Sequence, residues 1–433
     1  MSIPHASPAE TAGVVADVLA PLVARGAIVR RPKVLGALAR ADADRRAIRR
    51  LQRLDERHGP GPVLLRLPAR HVAFVLSPDH VRVVLEGSPE PFATATVEKR
   101  GALERFQPHG VLVSHGPQRA ERRRFNEEVL DTQHPDHRLA ADLIAVVGEE
   151  IGPVLAAARR SGGLRWDDFA PAWWRIVRRV VLGQGARDDE ELTDLLTRLR
   201  ADANWSVLKP DRAGLRERFL ARLGAHLARA EPGSLASLVA AVPSTARTAP
   251  AEQVPQWLFA FDAAGMAAFQ TLALLAAHPA QAQRARDDLT YTRACVLEAV
   301  RLWPTTPAVL RDTTAETFWE QGTLPAGTGL VIFAPFFHRD ERRLRHADAF
   351  APGQWLDGGP PDGSPPGEYP LIPFSAGPAA CPGRNLVLLL TSTLLAALLQ
   401  DGRELRQLEP EPLERTRPLP GTLSPFRLRF ALV

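Results

Sequence analysis

The chain has 433 residues, of which 45% are apolar and 24% charged, and a formal charge of +5. This is the composition of an ordinary globular protein able to bury a large core. Two cysteines, Cys295 and Cys381, cannot make a disulfide framework and indicate a reducing compartment. The positive excess rests on arginine, since Lys33, Lys99 and Lys209 are the only lysines. It suits nucleic acid, an anionic cofactor or an acidic protein equally. No stretch, however, combines basic clustering with interleaved aromatics as a nucleic-acid surface would.

The first residues, about 1–30, read as an N-terminal extension with a surface helix. Asp17, Pro21 and Arg25 interrupt its apolar run, so it lacks the ~20 clean residues of a membrane span and the pattern of a secretory signal. Loose contact with a membrane surface stays open through Arg30, Arg31 and Lys33. A cytoplasmic location is expected. "DADRRAIRRLQRLDERHG" then reads as a charged helix, and "PVLLRL" with "HVAFVL" as a short hairpin. In "SPDHVRVVLEGSP", Ser77 is placed as an N-cap and Pro78 in the first turn, with Gly87 and Pro89 at the end.

Helical periodicity continues through "GPQRAERRRFNEEVL", "DHRLAADLIAVVGEEIGPVLAAARR", "FAPAWWRIVRRVVLG", "DEELTDLLTRLRADANW" and "AGLRERFLARLGAHLARA". From about Val254 to Ala277 a long helix carries no charge except Asp262, and a helix apolar all round is normally buried. After Trp303 the texture turns to strands in "ETFWEQGTLPAGTGLVIFAP" and a Pro/Gly-rich stretch to Pro373. A last apolar helix runs from about Arg384 to Gln400. No repeat or linker divides the chain, so a single unit over 1–433 is expected.

Between those last two segments lies "FSAGPAACPG". Gly377 and Gly383 permit backbone angles that other residues avoid. Cys381 falls close to the N-terminus of the apolar helix, where unpaired N–H groups and the helix dipole favour an anion and stabilise a thiolate. A buried free cysteine and a catalytic nucleophile are the competing readings; no His, Asn or Asp is placed locally to support the nucleophile, and twelve scattered histidines leave it undecided. A structural zinc site lacks further thiols.

Phe374, Gly377, Cys381 and Gly383 match the F-x-x-G-x-x-x-C-x-G signature and so resemble the cytochrome P450 family, in which the thiolate is the axial ligand of haem iron. The resemblance implies a mainly α (α+β) fold, a helix-rich triangular prism with a small β-rich subdomain. It implies haem b as cofactor, held by the loop 374–383. Three further segments agree. "VLEAVRLWP" carries Glu298 and Arg301 on one helical face and is similar to the family's buried Glu-x-x-Arg pair; the usual third partner, an arginine, is replaced by Gln354. An amide hydrogen bond is expected there in place of an ion pair.

"WLFAFDAAGMAAFQTLALLAAHP", about 254–277, resembles the family's central distal helix. Counting back from His278 and Pro279 places the acid of its acid–alcohol pair at Asp262 and the alcohol at Ala263; the alternative of reading "AGMAA" as the motif would lose the acid. "HGPQRAERRRFNEEV" resembles the segment that clasps the haem propionates, with Arg119 where His is usual and Arg123 after it. Arg311 matches another propionate contact. Taken alone, each of these arginines reads as a solvated surface residue. Ala379 fills a slot that is often His or Arg, so one such contact is missing.

The resemblance implies a monooxygenase that hydroxylates a small molecule, or abstracts hydrogen before coupling or desaturation. No G-x-G-x-x-G fingerprint marks a nucleotide module, so electrons from NAD(P)H are expected through a separate ferredoxin and ferredoxin reductase, with Arg384 a docking candidate. Phe259, Ala260, Ala264, Ala308 and Val309, with the 92–112 segment and the loop near Ala203–Asp211, should line a lipophilic substrate pocket. Natural-product metabolism, a monomer, no membrane span and no nucleic acid complete the expectation. A peroxygenase, a redox-neutral isomerase or dehydratase, and a binding module of the same fold remain as alternatives.

Overall fold

A computed structural model describes residues 3–26, 28–68, 70–204, 212–356, 371–400 and 404–432. Helices dominate, and three small sheets complete a mainly α, α+β fold. The strands are β1 (Val63–Leu65), β2 (Val72–Phe74), β3 (Phe92–Ala93), β4 (Leu164–Arg165), β5 (Ala308–Thr313), β6 (Thr317–Trp319), β7 (Gly322–Leu324), β8 (Gly329–Phe333), β9 (Leu405–Glu409) and β10 (Arg429–Leu432). Backbone contacts sort these residues into two compact units.

The first unit draws on Met1–Glu98, Leu297–Cys381 and Pro418–Ser424. Its centre is a sheet in the order β1-β2-β8-β5-β3. β1 and β2 form the antiparallel hairpin that the sequence suggests. β8, Gly-Leu-Val-Ile-Phe, is buried along its whole length, as a continuous apolar run in a central strand should be. It runs parallel to β2 and antiparallel to β5. The free edge of β1 is covered by the N-terminal segment: Leu64 N–H donates to Pro4 O at 2.9 Å and Ala6 N–H to Leu64 O at 2.9 Å.

The helix that follows, Pro8–Ala24 with a π turn at Val15–Leu19, starts from a capping box of Ser7 and Glu10. It is less superficial than its sequence suggests, because Val14 and Val18 join the core with Leu51, Leu54, Leu65 and Phe74. Asp17 is half-buried beside that face and pairs with Arg50 at 2.8 Å. Ser77 precedes helix Pro78–Glu86 in extended backbone, but its side chain makes no capping bond.

Segment Pro418–Ser424 is fastened to this unit from three places. Arg339 Nη1 donates to Pro420 O at 2.6 Å, and Trp303 Nε1 reaches the same oxygen at 2.8 Å. Asp44 N–H donates to Thr422 Oγ1 at 3.0 Å.

The second unit draws on Lys99–Val296, Pro382–Arg417 and Pro425–Val433. Its helices include Gly116–Val129, Ala140–Ser161, Trp166–Leu182, Glu190–Ala203, Ala213–Arg229, Val254–Ala277 and Arg384–Leu399. Helix Val254–Ala277 lies in a segment long and apolar enough to cross a membrane, yet 78% of its apolar window is buried within the protein. Aromatic packing accounts for much of that burial: Phe269 meets Trp166, Phe169 and Phe430 at ring separations of 5.3, 4.8 and 5.7 Å. Gly265 admits a second aromatic, since a Cβ there would stand 2.9 Å from Trp173 Nε1. The indole donates to Phe261 O at 2.9 Å. Phe430 belongs to β10, the middle strand of the sheet β4-β10-β9.

Candidate functional site

In the first unit, the loop around Cys381 closes on itself. Cys381 N–H donates to Phe374 O at 2.9 Å, and Ser375 and Gly377 sit at φ 61 and φ 66. Gly377 admits no side chain, because a Cβ would stand 2.3 Å from Leu85 O. Gly383 differs from expectation. Its φ is −90, and the nearest neighbour of a Cβ would be Leu130 Cδ1 at an ordinary 3.9 Å. Backbone freedom therefore explains the first glycine and not the second. Beyond Cys381, helix Arg384–Leu399 begins with no acidic residue in its first turn and no side-chain cap. Its positive dipole end is left to favour an anion close by in the chain.

The same unit holds the Glu298–Arg301 pair, both residues fully buried. Arg301 holds Glu298 bidentately at 2.8 and 2.7 Å and spends its remaining donors on the carbonyls of His338, His346, Ala347 and Ala349. Glu298 also accepts from Ala351 N–H at 2.9 Å, Gln354 Nε2 at 2.5 Å and Trp355 Nε1 at 2.9 Å. Gln354 thus makes the amide bond expected of it, and its own Oε1 faces His346 Nε2 at 2.9 Å. Burial alone would raise the Glu298 pKa, but the Arg301 charge and these donors bring it below the ordinary carboxylate value.

His338 is a residue the sequence did not single out. Nδ1 donates to Arg301 O at 3.1 Å and Nε2 accepts Ile372 N–H at 2.9 Å, which fixes a neutral tautomer. Burial, then the Arg301 charge, pushes its pKa down to about 3. Ile372 O in turn accepts Ser375 N–H at 3.1 Å. One hydrogen-bonded path therefore runs from the Glu298 pair through His338 into the cysteine loop.

Arg311, on β5, is buried and donates to Ser88 Oγ at 2.7 Å and Leu310 O at 2.9 Å, both neutral oxygens. Ala308 and Val309 lie half-buried earlier on the same strand.

In the second unit, Arg119 is buried on helix Gly116–Val129. Burial and the neighbouring charge of Arg123 push its pKa down, so an anion placed there would be stabilised. Arg123 itself pairs with Glu127 at 2.6 Å. On helix Val254–Ala277, Phe259, Ala260, Asp262 and Ala263 are half-buried, while Ala264 and the nine residues after it, from Gly265 to Ala273, are buried. Asp262 is not a lone acid: its carboxylate pairs with Arg200 of helix Glu190–Ala203. The Arg200 guanidinium also lies 5.0 Å from the Phe259 ring centroid. Nothing in the sequence marks this pair, because Arg200 is one of many arginines on amphipathic helices. Of the expected pocket loop, residues 205–211 lie outside the described residues.

The donor set fits haem. Among the described residues no group of three or more His, Cys, Asp or Glu could hold a metal ion. One soft thiolate shortly before a helix N-terminus would suit a single bond to iron already held by a porphyrin. Buried guanidiniums suit its carboxylates.

Residues 273–416 match the family model described as Cytochrome P450. Among curated proteins, Cytochrome P450 4ae1 of Drosophila melanogaster is 34% identical over 26% of this chain and 22% of its own length. Cyclooctat-9-en-7-ol 5-monooxygenase of Streptomyces melanosporofaciens is 32% identical over 31% of this chain and 26% of its own. The chain thus spans about a quarter of the length of these relatives. Among solved structures, CYP108D1 of Novosphingobium aromaticivorans superposes with a TM-score of 0.69 at 17% identity, covering 100% of both chains. A six-coordinate cytochrome P450 of Thermus thermophilus gives 0.63 at 20% identity, over 89% of this chain and 97% of that one.

Proposed function

We propose that this chain, whose fold is that of solved cytochromes P450 and whose residues 273–416 match that family's model, is a member of the family and a haem-thiolate monooxygenase acting on a lipophilic small molecule. The observation that carries the reading is the cysteine loop. Its left-handed turn, forced at Gly377, sets the lone thiol of Cys381 a few residues before the uncapped start of an apolar helix. When bound, haem supplies the one-electron and oxygen chemistry that no side chain offers. Cys381 would give the thiolate, and Arg119 and Arg311, each buried in its own unit, would each suit a propionate.

Asp262 is the one acid on its helix, and Ala263 beside it offers no hydroxyl to which a proton could pass. With its carboxylate engaged by Arg200, proton delivery depends on release of that pair or on a hydroxyl or amide brought by the substrate. Phe259, Ala260 and Ala264 offer apolar surface to that substrate. Natural-product metabolism accords with these departures, and electrons are assigned to a ferredoxin and its reductase. The test is a carbon monoxide difference spectrum of the reduced protein, followed by substrate-dependent NADPH consumption with a surrogate ferredoxin pair. A reduced protein without the red-shifted thiolate band would overturn the proposal.

The engaged Asp262 and missing alcohol favour one second reading, in which peroxide replaces oxygen and reductant. Peroxide arrives with its two electrons and two protons, so no relay is required. Turnover with hydrogen peroxide that exceeds the ferredoxin-driven rate would establish it.

A further inference from the structure

The residues that follow Cys381 are gripped by the loop between helices Gly116–Val129 and Ala140–Ser161, which the sequence did not mark. Asp131 anchors this loop. It is buried, at φ 51, a left-handed conformation that Asp tolerates better than most residues. Its carboxylate accepts His134 Nδ1 at 2.7 Å, Arg138 N–H at 2.7 Å and Arg138 Nη2 at 3.3 Å. His137 closes the far end: Nε2 donates to Val129 O at 3.1 Å and Nδ1 accepts Leu139 N–H at 3.1 Å.

A loop so braced can hold something else in place. Thr132 Oγ1 donates to Pro382 O at 2.7 Å. Asn385 Nδ2 donates back to the carbonyls of Thr132 at 3.0 Å and His134 at 2.9 Å. The Pro382–Gly383 peptide, the second after the cysteine, is therefore fixed by its oxygen, and the first turn of helix Arg384–Leu399 by a side chain. In a trans peptide the carbonyl and the following N–H point in opposite directions. Holding Pro382 O on Thr132 consequently sets the direction of Gly383 N–H, one of the donors at the helix start.

We propose that Thr132 and Asn385 are positioning residues for the axial ligand, acting through the Pro382–Gly383 peptide to keep the Cys381 thiolate on iron. The proposal rests on the haem-thiolate reading. Without the clasp the ligand loop gains freedom, and the thiolate leaves iron more often.

The test follows the haem-loaded enzyme, reduced and bound to carbon monoxide, as its red-shifted Soret band decays to the form that lacks thiolate ligation. Thr132→Val keeps the shape and removes the donor; it should decay roughly five-fold faster than the parent, the factor expected for one net hydrogen bond. Thr132→Ser should decay at the parental rate, and Asn385→Leu should behave as Thr132→Val does. Decay of Thr132→Val at the parental rate overturns the proposal, as does a Thr132→Ser protein as labile as Thr132→Val. Should Thr132→Val not fold, Asn385→Leu decides by the same comparison. A parent that never shows the red-shifted band overturns the haem-thiolate reading as well, whereas a parent that shows it beside an unchanged Thr132→Val removes the clasp alone.

Discussion

At the scale of single residues, two glycines of one motif have different reasons to be there. Gly377 combines φ 66 with a Cβ position 2.3 Å from a backbone oxygen, so Gly377→Ala should lower stability by at least about 2 kcal/mol. Gly383 meets neither constraint, and Gly383→Ala should melt within about 0.5 kcal/mol of the parent; equal losses in a thermal melt would contradict the contrast. Gln354 is the second case. Its amide donates to a buried carboxylate at 2.5 Å, and hydrogen bonds to charged groups are worth about 1.5–3 kcal/mol. Gln354→Leu should lose that much in denaturant unfolding. The sequence made this bond legible because one family slot was filled by an amide. His338 was illegible: its partners are the carbonyl of Arg301 and the N–H of Ile372, and no pattern of side chains reports a backbone partner.

His338 also sets a pH dependence. Its folded pKa, about 3, lies below the ordinary histidine value of 6.5. The folded state therefore binds fewer protons than the unfolded one between those limits. Its contribution to stability is complete above about 6.5 and is lost progressively as pH falls toward 3. Glu298, also held below its ordinary value, adds to the loss at the acid end. The melting temperature should fall from pH 7 to pH 4 less steeply in His338→Gln than in the parent; parallel curves would show that His338 does not drive the decline.

Among elements, the helices were the most legible. Helix Val254–Ala277 and helix Arg384–Leu399 have the bounds read from their apolar runs to within about one residue, since burial on all sides leaves a continuous signal. The short strands β3, β4, β9 and β10 were not legible, because each is defined by a partner far away in sequence, as when Phe430 faces Leu164. The same limit hid Arg200. Its function follows only once two helices bring it to Asp262. If Asp262 serves proton delivery, Asp262→Asn should slow oxygen-driven turnover by about 10²-fold and leave peroxide-driven turnover and the carbon monoxide band unchanged. Loss of all three together would make the residue structural. The neighbouring contact is steric: Gly265→Ala would push Trp173 from Phe261 O, at about 1–3 kcal/mol for overpacking, measurable as a lowered melting temperature.

For the molecule as a whole, the sequence showed a helix-rich chain with a β-rich stretch after Trp303, and the structure has both. The division into two compact units was not visible, because neither unit is continuous in the chain. Composition changes cannot mark a boundary that the chain crosses several times, in one case within helix Leu289–Leu302 and in another between Cys381 and Pro382.

That interleaving has a consequence for how the protein comes into being on the ribosome. Arg339, Trp303 and Asp44 wait for partners in Pro418–Ser424, so the first unit stays unfinished until residues 418–424 have emerged. The Arg339 guanidinium, fully buried once folded, would until then lack acceptors that it later needs. Long-range closure of this kind is slow and leaves apolar surface open to aggregation. Chains halted before residue 418 should remain protease-sensitive and dependent on chaperones, while chains halted once residue 424 has cleared the exit tunnel should compact.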